Sequence, residues 1–173
     1  MKTRCTFTLG AIAALGLVLA ISSTQAVAQQ KSPVVGTWQV TSVSLSMLDT
    51  GEVLPYPVGE HPIGYLQYSP GGHMAVFLST GTPKRAAGTA YTDAERVDIY
   101  NGIIAAYAGT YSVEGNKVIH HVVASWLPEW IGGDQTRYAE IEGNRLTVKT
   151  ASQKNPLLAR RETVFTVTYE RVE

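Results

Sequence analysis

The chain is predicted to be all-β: an antiparallel meander closed into a barrel of roughly eight to ten strands, with one helix inserted at about residues 92–106. Three observations predict it. Short segments rich in β-branched and aromatic residues follow one another along most of the chain. Turn chemistry separates them, as in Asp49-Thr50-Gly51, Ser69-Pro70-Gly71-Gly72, Glu114-Gly115-Asn116-Lys117 and Glu142-Gly143-Asn144-Arg145. A large indole, Trp38, stands on the first segment two residues after Gly36, where it can plug one end of a closed sheet.

The beginning of the chain reads as an export leader, residues 1–28. Lys2 and Arg4 are its basic region, Leu9 to Ile21 its apolar run, and Ala26-Val27-Ala28 its cleavage site. A retained membrane anchor is the competing reading, but the apolar run is short for a bilayer span. Cys5 is the only cysteine and precedes the apolar run. The mature chain, residues 29–173, therefore enters an oxidising compartment without a disulfide and relies on its core. One domain is expected at this length. Of the 14 basic residues two, Lys2 and Arg4, belong to the leader, so 12 remain against 14 acidic ones. Such a mixed surface argues against nucleic acid and anionic membranes as partners.

Strands are expected at Val35–Met47, Glu52–Tyr56, Ile63–Ser69, His73–Ser79, Tyr107–Val113, Lys117–Ser125, Gln135–Glu142, Arg145–Ala151 and Glu162–Arg171. The helix is expected where Thr92-Asp93-Ala94-Glu95 forms a capping box. Val97, Tyr100, Ile103, Ile104 and Tyr107 then fall on about one helical face, which should pack on the barrel or over its mouth. Residues 80–90, rich in Gly, Ala, Thr, Lys and Arg, read as a loop.

Two hairpin turns set registers. A two-residue turn at Gly115-Asn116 places Val113 opposite Val118, Tyr111 opposite His120 and Gly109 opposite Val122. One at Gly143-Asn144 places Ile141 opposite Leu146, Ala139 opposite Val148 and Arg137 opposite Thr150. The apolar pairs identify the inner face, so Tyr111, His120 and Arg137 are expected inside, with Glu140, Glu142, Arg145 and Lys149 outside.

These residues give the chain a resemblance. It is similar to the bacterial and fungal lipocalin-like single-domain proteins, whose barrels, like other calycins, begin with Gly-x-Trp. The likeness covers nearly the whole mature chain. It rests on Val35-Gly36-Thr37-Trp38, on Pro55-Tyr56 with Gly59-Glu60-His61-Pro62, and on Gly64-Tyr65-Leu66-Gln67-Tyr68-Ser69-Pro70. It continues through Gly109-Thr110-Tyr111, Ile119-His120-His121-Val122, Pro128-Glu129-Trp130, Gln135-Thr136-Arg137-Tyr138 and Leu146-Thr147-Val148. Gly71 departs from the aspartate common at that turn, and Ser125-Trp126 adds an aromatic beside Trp130. The resemblance implies a small lipocalin-like β-barrel with a central cavity. Some similar proteins accompany natural-product biosynthesis, which keeps an enzymatic reading open.

Candidate chemistry is sparse. His120 and His121 are adjacent on a strand and point to opposite faces, so they cannot chelate one ion; His61 and His73 have no supporting spacing, and no metal or cofactor is expected. An interior Arg137 needs an acidic partner, several acceptors or an anionic ligand, because a buried unpaired guanidinium is costly. Glu129 or Asp134 could fold in to supply the carboxylate. Trp126, Trp130, Tyr65, Tyr107 and Tyr111 offer aromatic walls for a flat apolar ligand, or plain core. Arg171 on the last strand could reach Trp38 on the first and close the barrel by a cation–π contact. No Ser-His-Asp ordering, phosphate loop or nucleophilic cysteine is visible.

The reading that results is an exported, periplasmic or secreted barrel that binds a small apolar molecule, neutral or acidic. Its ligand contacts would be Tyr111, His120, Arg137, Trp126, Trp130 and Tyr65. The alternatives are an isomerase- or cyclase-type enzyme acting on a polyketide- or terpenoid-like substrate, with Tyr111 and His120 as an acid–base pair, and a packed structural or partner-binding barrel. N-terminal sequencing of exported protein should begin at Gln29; an intact Met1 on membrane-bound protein would identify an anchor instead.

Overall fold

The computed structural model describes residues 32–56, 61–82, 84–155 and 160–173. The leader lies outside the described residues, as do Gly59 and Glu60. Ten strands run in chain order as β1 (Gly36–Met47), β2 (Val53–Pro55), β3 (Ile63–Tyr68), β4 (His73–Ser79), β5 (Ile103–Glu114), β6 (Lys117–Ser125), β7 (Asp134–Glu142), β8 (Arg145–Thr150), β9 (Gln153–Asn155) and β10 (Arg161–Arg171). Eight of them follow one another around a closed antiparallel barrel, β1-β3-β4-β5-β6-β7-β8-β10, and β10 pairs back onto β1. The short β2 and β9 lie outside the ring.

Their position follows from length. Strand β1 pairs with β10 from Trp38 to Met47, but its other edge meets β3 only from Gly36 to Gln39. The edge left over is taken by β2 at Ser44–Ser46. In the same way β10 pairs with β8 over Thr166–Glu170 and with β9 over Arg161–Thr163. Backbone groups that would otherwise be free at an edge are paired by these two strands.

Both hairpin registers are found. Tyr111 faces His120 and Gly109 faces Val122 across β5–β6, while Ala139 faces Val148 and Arg137 faces Thr150 across β7–β8. The β5–β6 pair is interrupted by a bulge, for Ala108 pairs with Ala124 and the next pair is Gly109–Val122. The backbones approach closely there: a Cβ on Gly109 would lie 1.9 Å from the His121 carbonyl oxygen.

One end of the barrel is packed around Trp38, which is wholly buried with Leu146, Val118 and Tyr68 among the cluster around it. The indole Nε1 donates to the Val34 carbonyl at 2.8 Å. Above the ring lies Arg171, paired in register with Trp38, its Cζ 4.0 Å from the ring centroid. The guanidinium also donates to the carbonyls of Val35 at 2.6 Å and Pro33 at 2.8 Å. Gly36 makes room for this arginine, since a Cβ there would lie 2.5 Å from both Arg171 Nη1 and the Glu173 carbonyl.

The helix differs from its expected extent. Helix α1 spans Asp93–Asn101, with the Thr92–Glu95 capping box formed, and stops at Gly102. Ile103, Ile104 and Tyr107 belong to β5, so the apolar stripe read at helical spacing is split between two elements. No residue of the helix itself is buried. The paired β-branched residues after Gly102 favour a strand over a further helical turn.

Replacing Trp38 by Ala should cost about 3–5 kcal/mol, as for other large buried aromatics. Combined with Arg171→Ala in urea denaturation, the loss should fall short of the sum of the single losses, because the two side chains touch. Simple additivity would separate the arginine from the indole energetically.

Candidate functional site

The other end of the barrel is not filled. A cavity of about 480 Å³ opens there, within the range of small-molecule sites. Buried side chains form its deep part: Leu66, Val76, Leu78, Val148 and Val167 supply apolar wall, and Tyr107, Tyr169 and His120 supply polar atoms. Nearer the surface stand Trp126, Trp130 and Phe165, with the exposed Asn101, Gln153 and Lys154 at the mouth. Trp130 meets Tyr107 edge-on, with centroids 5.5 Å apart, and Trp126 leans on Tyr100 of α1 at 4.8 Å. Tyr56 meets Phe165 edge-on at 5.2 Å.

A polar column crosses the floor. His120, 1 % exposed, lies between two tyrosine hydroxyls: Nε2 is 2.7 Å from that of Tyr68 and Nδ1 is 2.8 Å from that of Tyr107. Arg137 Nη2 donates to the Tyr107 hydroxyl and to Gln135 Oε1, both at 3.3 Å, and Nη1 donates to the Thr136 carbonyl at 3.0 Å. Among the described residues no carboxylate pairs with Arg137. Burial raises the pKa of Tyr68 and Tyr107, although Arg137 opposes the rise at both. Burial drives that of His120 down to about 3, with the charges of Arg137 and His121 adding to the effect. The imidazole is therefore neutral at ordinary pH.

Placement of the expected residues is mixed. His120, Arg137, Trp126 and Trp130 line the cavity. Tyr65 does not: it is half exposed on the outer face of β3, because Leu66 and Tyr68 take the inward positions of that strand. Tyr111 turns towards the packed end, where its hydroxyl donates to the Ser69 carbonyl at 2.9 Å and its ring lies 4.8 Å from Tyr68. The Tyr111–His120 acid–base pair is thus not formed; the hydroxyls beside His120 are those of Tyr68 and Tyr107. Neither expected carboxylate reaches Arg137. Glu129 is exposed, and Asp134 lies on the outer face with His121 Nδ1 at 2.7 Å. Ser112 Oγ is 3.2 Å from His121 Nε2, so a Ser112–His121–Asp134 string exists that the sequence reading passed over. It stands on the solvent side, with the Asp134 side chain 60 % exposed, apart from the cavity. Tyr107, read as an aromatic wall, lines the cavity too, and Tyr56, Gln135, Lys154 and Tyr169 line it without having been singled out for it. Alternation along β10 is the signal that could have found Tyr169, which shares a face with Phe165 and Val167. Among the described residues no three His, Cys, Asp or Glu side chains gather as a metal site.

The depressed His120 pKa has a pH consequence. The unfolded histidine takes a proton below its ordinary value of 6.5 that the folded one refuses down to about 3. The associated stability is complete above pH 6.5 and drains away as the pH falls towards 3, by about 1.4 kcal/mol per unit. Between pH 7 and pH 5 the wild type should lose about 2 kcal/mol more than His120→Gln in urea denaturation. Parallel losses would mean that His120 titrates alike in both states.

The match to known proteins follows this geometry. No protein of curated function matches the chain in sequence. The family model described as a lipocalin-like domain matches residues 35–172, from the buried approach to Trp38 to the residue after Arg171. The chain belongs to the lipocalin-like domain family.

Proposed function

We propose that this protein is exported and binds in its cavity a small, largely apolar molecule bearing an anionic oxygen. A lipocalin-like barrel suggests small-molecule binding in general. The charge of the lining supports the narrower reading. Arg137 and Lys154 line the cavity, and no acidic residue does among those described. A half-buried guanidinium with only neutral acceptors keeps an unspent attraction for a carboxylate, enolate or phenolate. The aliphatic and aromatic wall supplies affinity by burial, and the arginine sets orientation. Export rests on the leader-like residues 1–28.

Two probes of one shape, 2-naphthoate and 2-ethylnaphthalene, test the reading. In Arg137→Met the affinity for the acid should fall about tenfold to a hundredfold, while that for the hydrocarbon holds. Calorimetric titration reads both. Equal loss for the two, or none for either, would make Arg137 structural.

A further inference from the structure

The direction of the hydrogen bonds in the floor column can be worked out by counting protons. Arg137 is a donor only, so the Tyr107 oxygen accepts from it. A neutral His120 carries one ring proton, which leaves two arrangements. In the first, Tyr107 donates to Nδ1 and Nε2–H donates to the Tyr68 oxygen. The Tyr68 proton then has no acceptor, since His120 is the only hydrogen-bond partner of that hydroxyl among the described residues. Tyr68 is 1 % exposed and does not line the cavity, so water cannot rescue it. In the second arrangement Tyr68 donates to Nε2, and Nδ1–H donates to the Tyr107 oxygen. Every proton of the Tyr68–His120 pair is then placed, and the one left over in the column is that of Tyr107, whose side chain lines the cavity. Buried donors are almost always satisfied, which selects the second arrangement.

We infer that Tyr107 presents its hydroxyl hydrogen to the cavity, next to the Arg137 guanidinium, and that the two together hold a single carbonyl-type oxygen of the ligand. The inference rests on the binding reading above and deepens it. It names the ligand as an apolar body carrying a carboxylate, enolate or ketone oxygen that takes two converging donors. Tyr68 and His120 are positioning residues: they never touch the ligand, but they hold the Tyr107 hydroxyl as a donor. With its oxygen accepting from both His120 and Arg137, Tyr107 has only its proton left to offer. A ligand group that merely donates, such as an ammonium, is refused at this spot. The column orients and does not conduct, because a proton passed along it would leave a phenolate at Tyr68, where burial opposes ionisation.

Nitrogen-15 NMR of the ligand-free protein, read through the long-range couplings of the His120 ring, distinguishes the tautomers. Nδ1–H is expected. Tyr107→Phe should weaken binding of 2-naphthoate and 2-acetylnaphthalene about tenfold and leave 2-ethylnaphthalene unchanged. Tyr68→Phe should release the tautomer, visible as a shift of the ring nitrogens, and weaken the same two probes while sparing the hydrocarbon. It keeps the argument testable if Tyr107→Phe fails to fold. An Nε2–H tautomer in the wild type, or equal loss of all three probes in the variants, overturns the inference while the Arg137 result stands. Wild-type protein that binds none of the three overturns the binding reading, and with it the ligand assigned here.

Discussion

A meandering sheet has two edges, and each is a row of unpaired amides and carbonyls that must find partners. Here the first and last strands find each other, and the contact between Trp38 and Arg171 marks the seam. The arginine does more than cover the indole. Its two terminal nitrogens hold the carbonyls of Pro33 and Val35, and the indole nitrogen holds that of Val34. Three successive backbone acceptors at the entrance to the barrel are satisfied by one pair of side chains. Val34 can then be buried at 3 % exposure, because the polar groups around it have been dealt with.

With that end sealed, the interior divides in two. Trp38, Tyr68 and Leu146 fill the sealed half, and Tyr111 closes it by bonding to the Ser69 carbonyl. The other half stays hollow, and the boundary between them is the Tyr68–His120–Tyr107 column. A buried polar column is costly unless each member is paired, and then it is rigid. Here the pairing is complete on the core side and open on the cavity side, where Tyr107 and Arg137 stand. The barrel is thus apolar and locked below the column, and polar and receptive above it.

How much of this was legible in the sequence depends on the range of the interaction. Gly115-Asn116 and Gly143-Asn144 settle local pairings, so the inward placement of His120 and Arg137 could be read from the turns. The seam could be read because Arg171 and Trp38 carry complementary chemistry on the terminal strands. Tyr65 was misread because the Ser69-Pro70-Gly71-Gly72 turn that follows it is longer than two residues and sets no register by itself, and Leu66 and Tyr68 claimed the inner face. The helix was drawn too long because Ile103 and Tyr107, four residues apart, share a face in a helix and in a strand alike until Gly102 is taken as a stop. Tyr68 and Tyr107 were not seen as partners of His120, since Tyr68 comes from β3, three strands round the ring, and Tyr107 is in register with Ser125 rather than with His120. The Ser112–His121–Asp134 string lies on three consecutive strands, and it was missed because the β6–β7 register that sets His121 opposite Asp134 is announced by no two-residue turn.

Pairing the first strand with the last also governs when the molecule can become itself. Contacts between the two ends of a chain are the slowest to form, because the whole intervening loop must be ordered first. Arg171 stands on β10, the last strand of the ring, so a growing chain lacks its seam until that strand has been made. Until then both edges stay open, and the nascent chain cannot close. The topology itself imposes this delay, without any separate device.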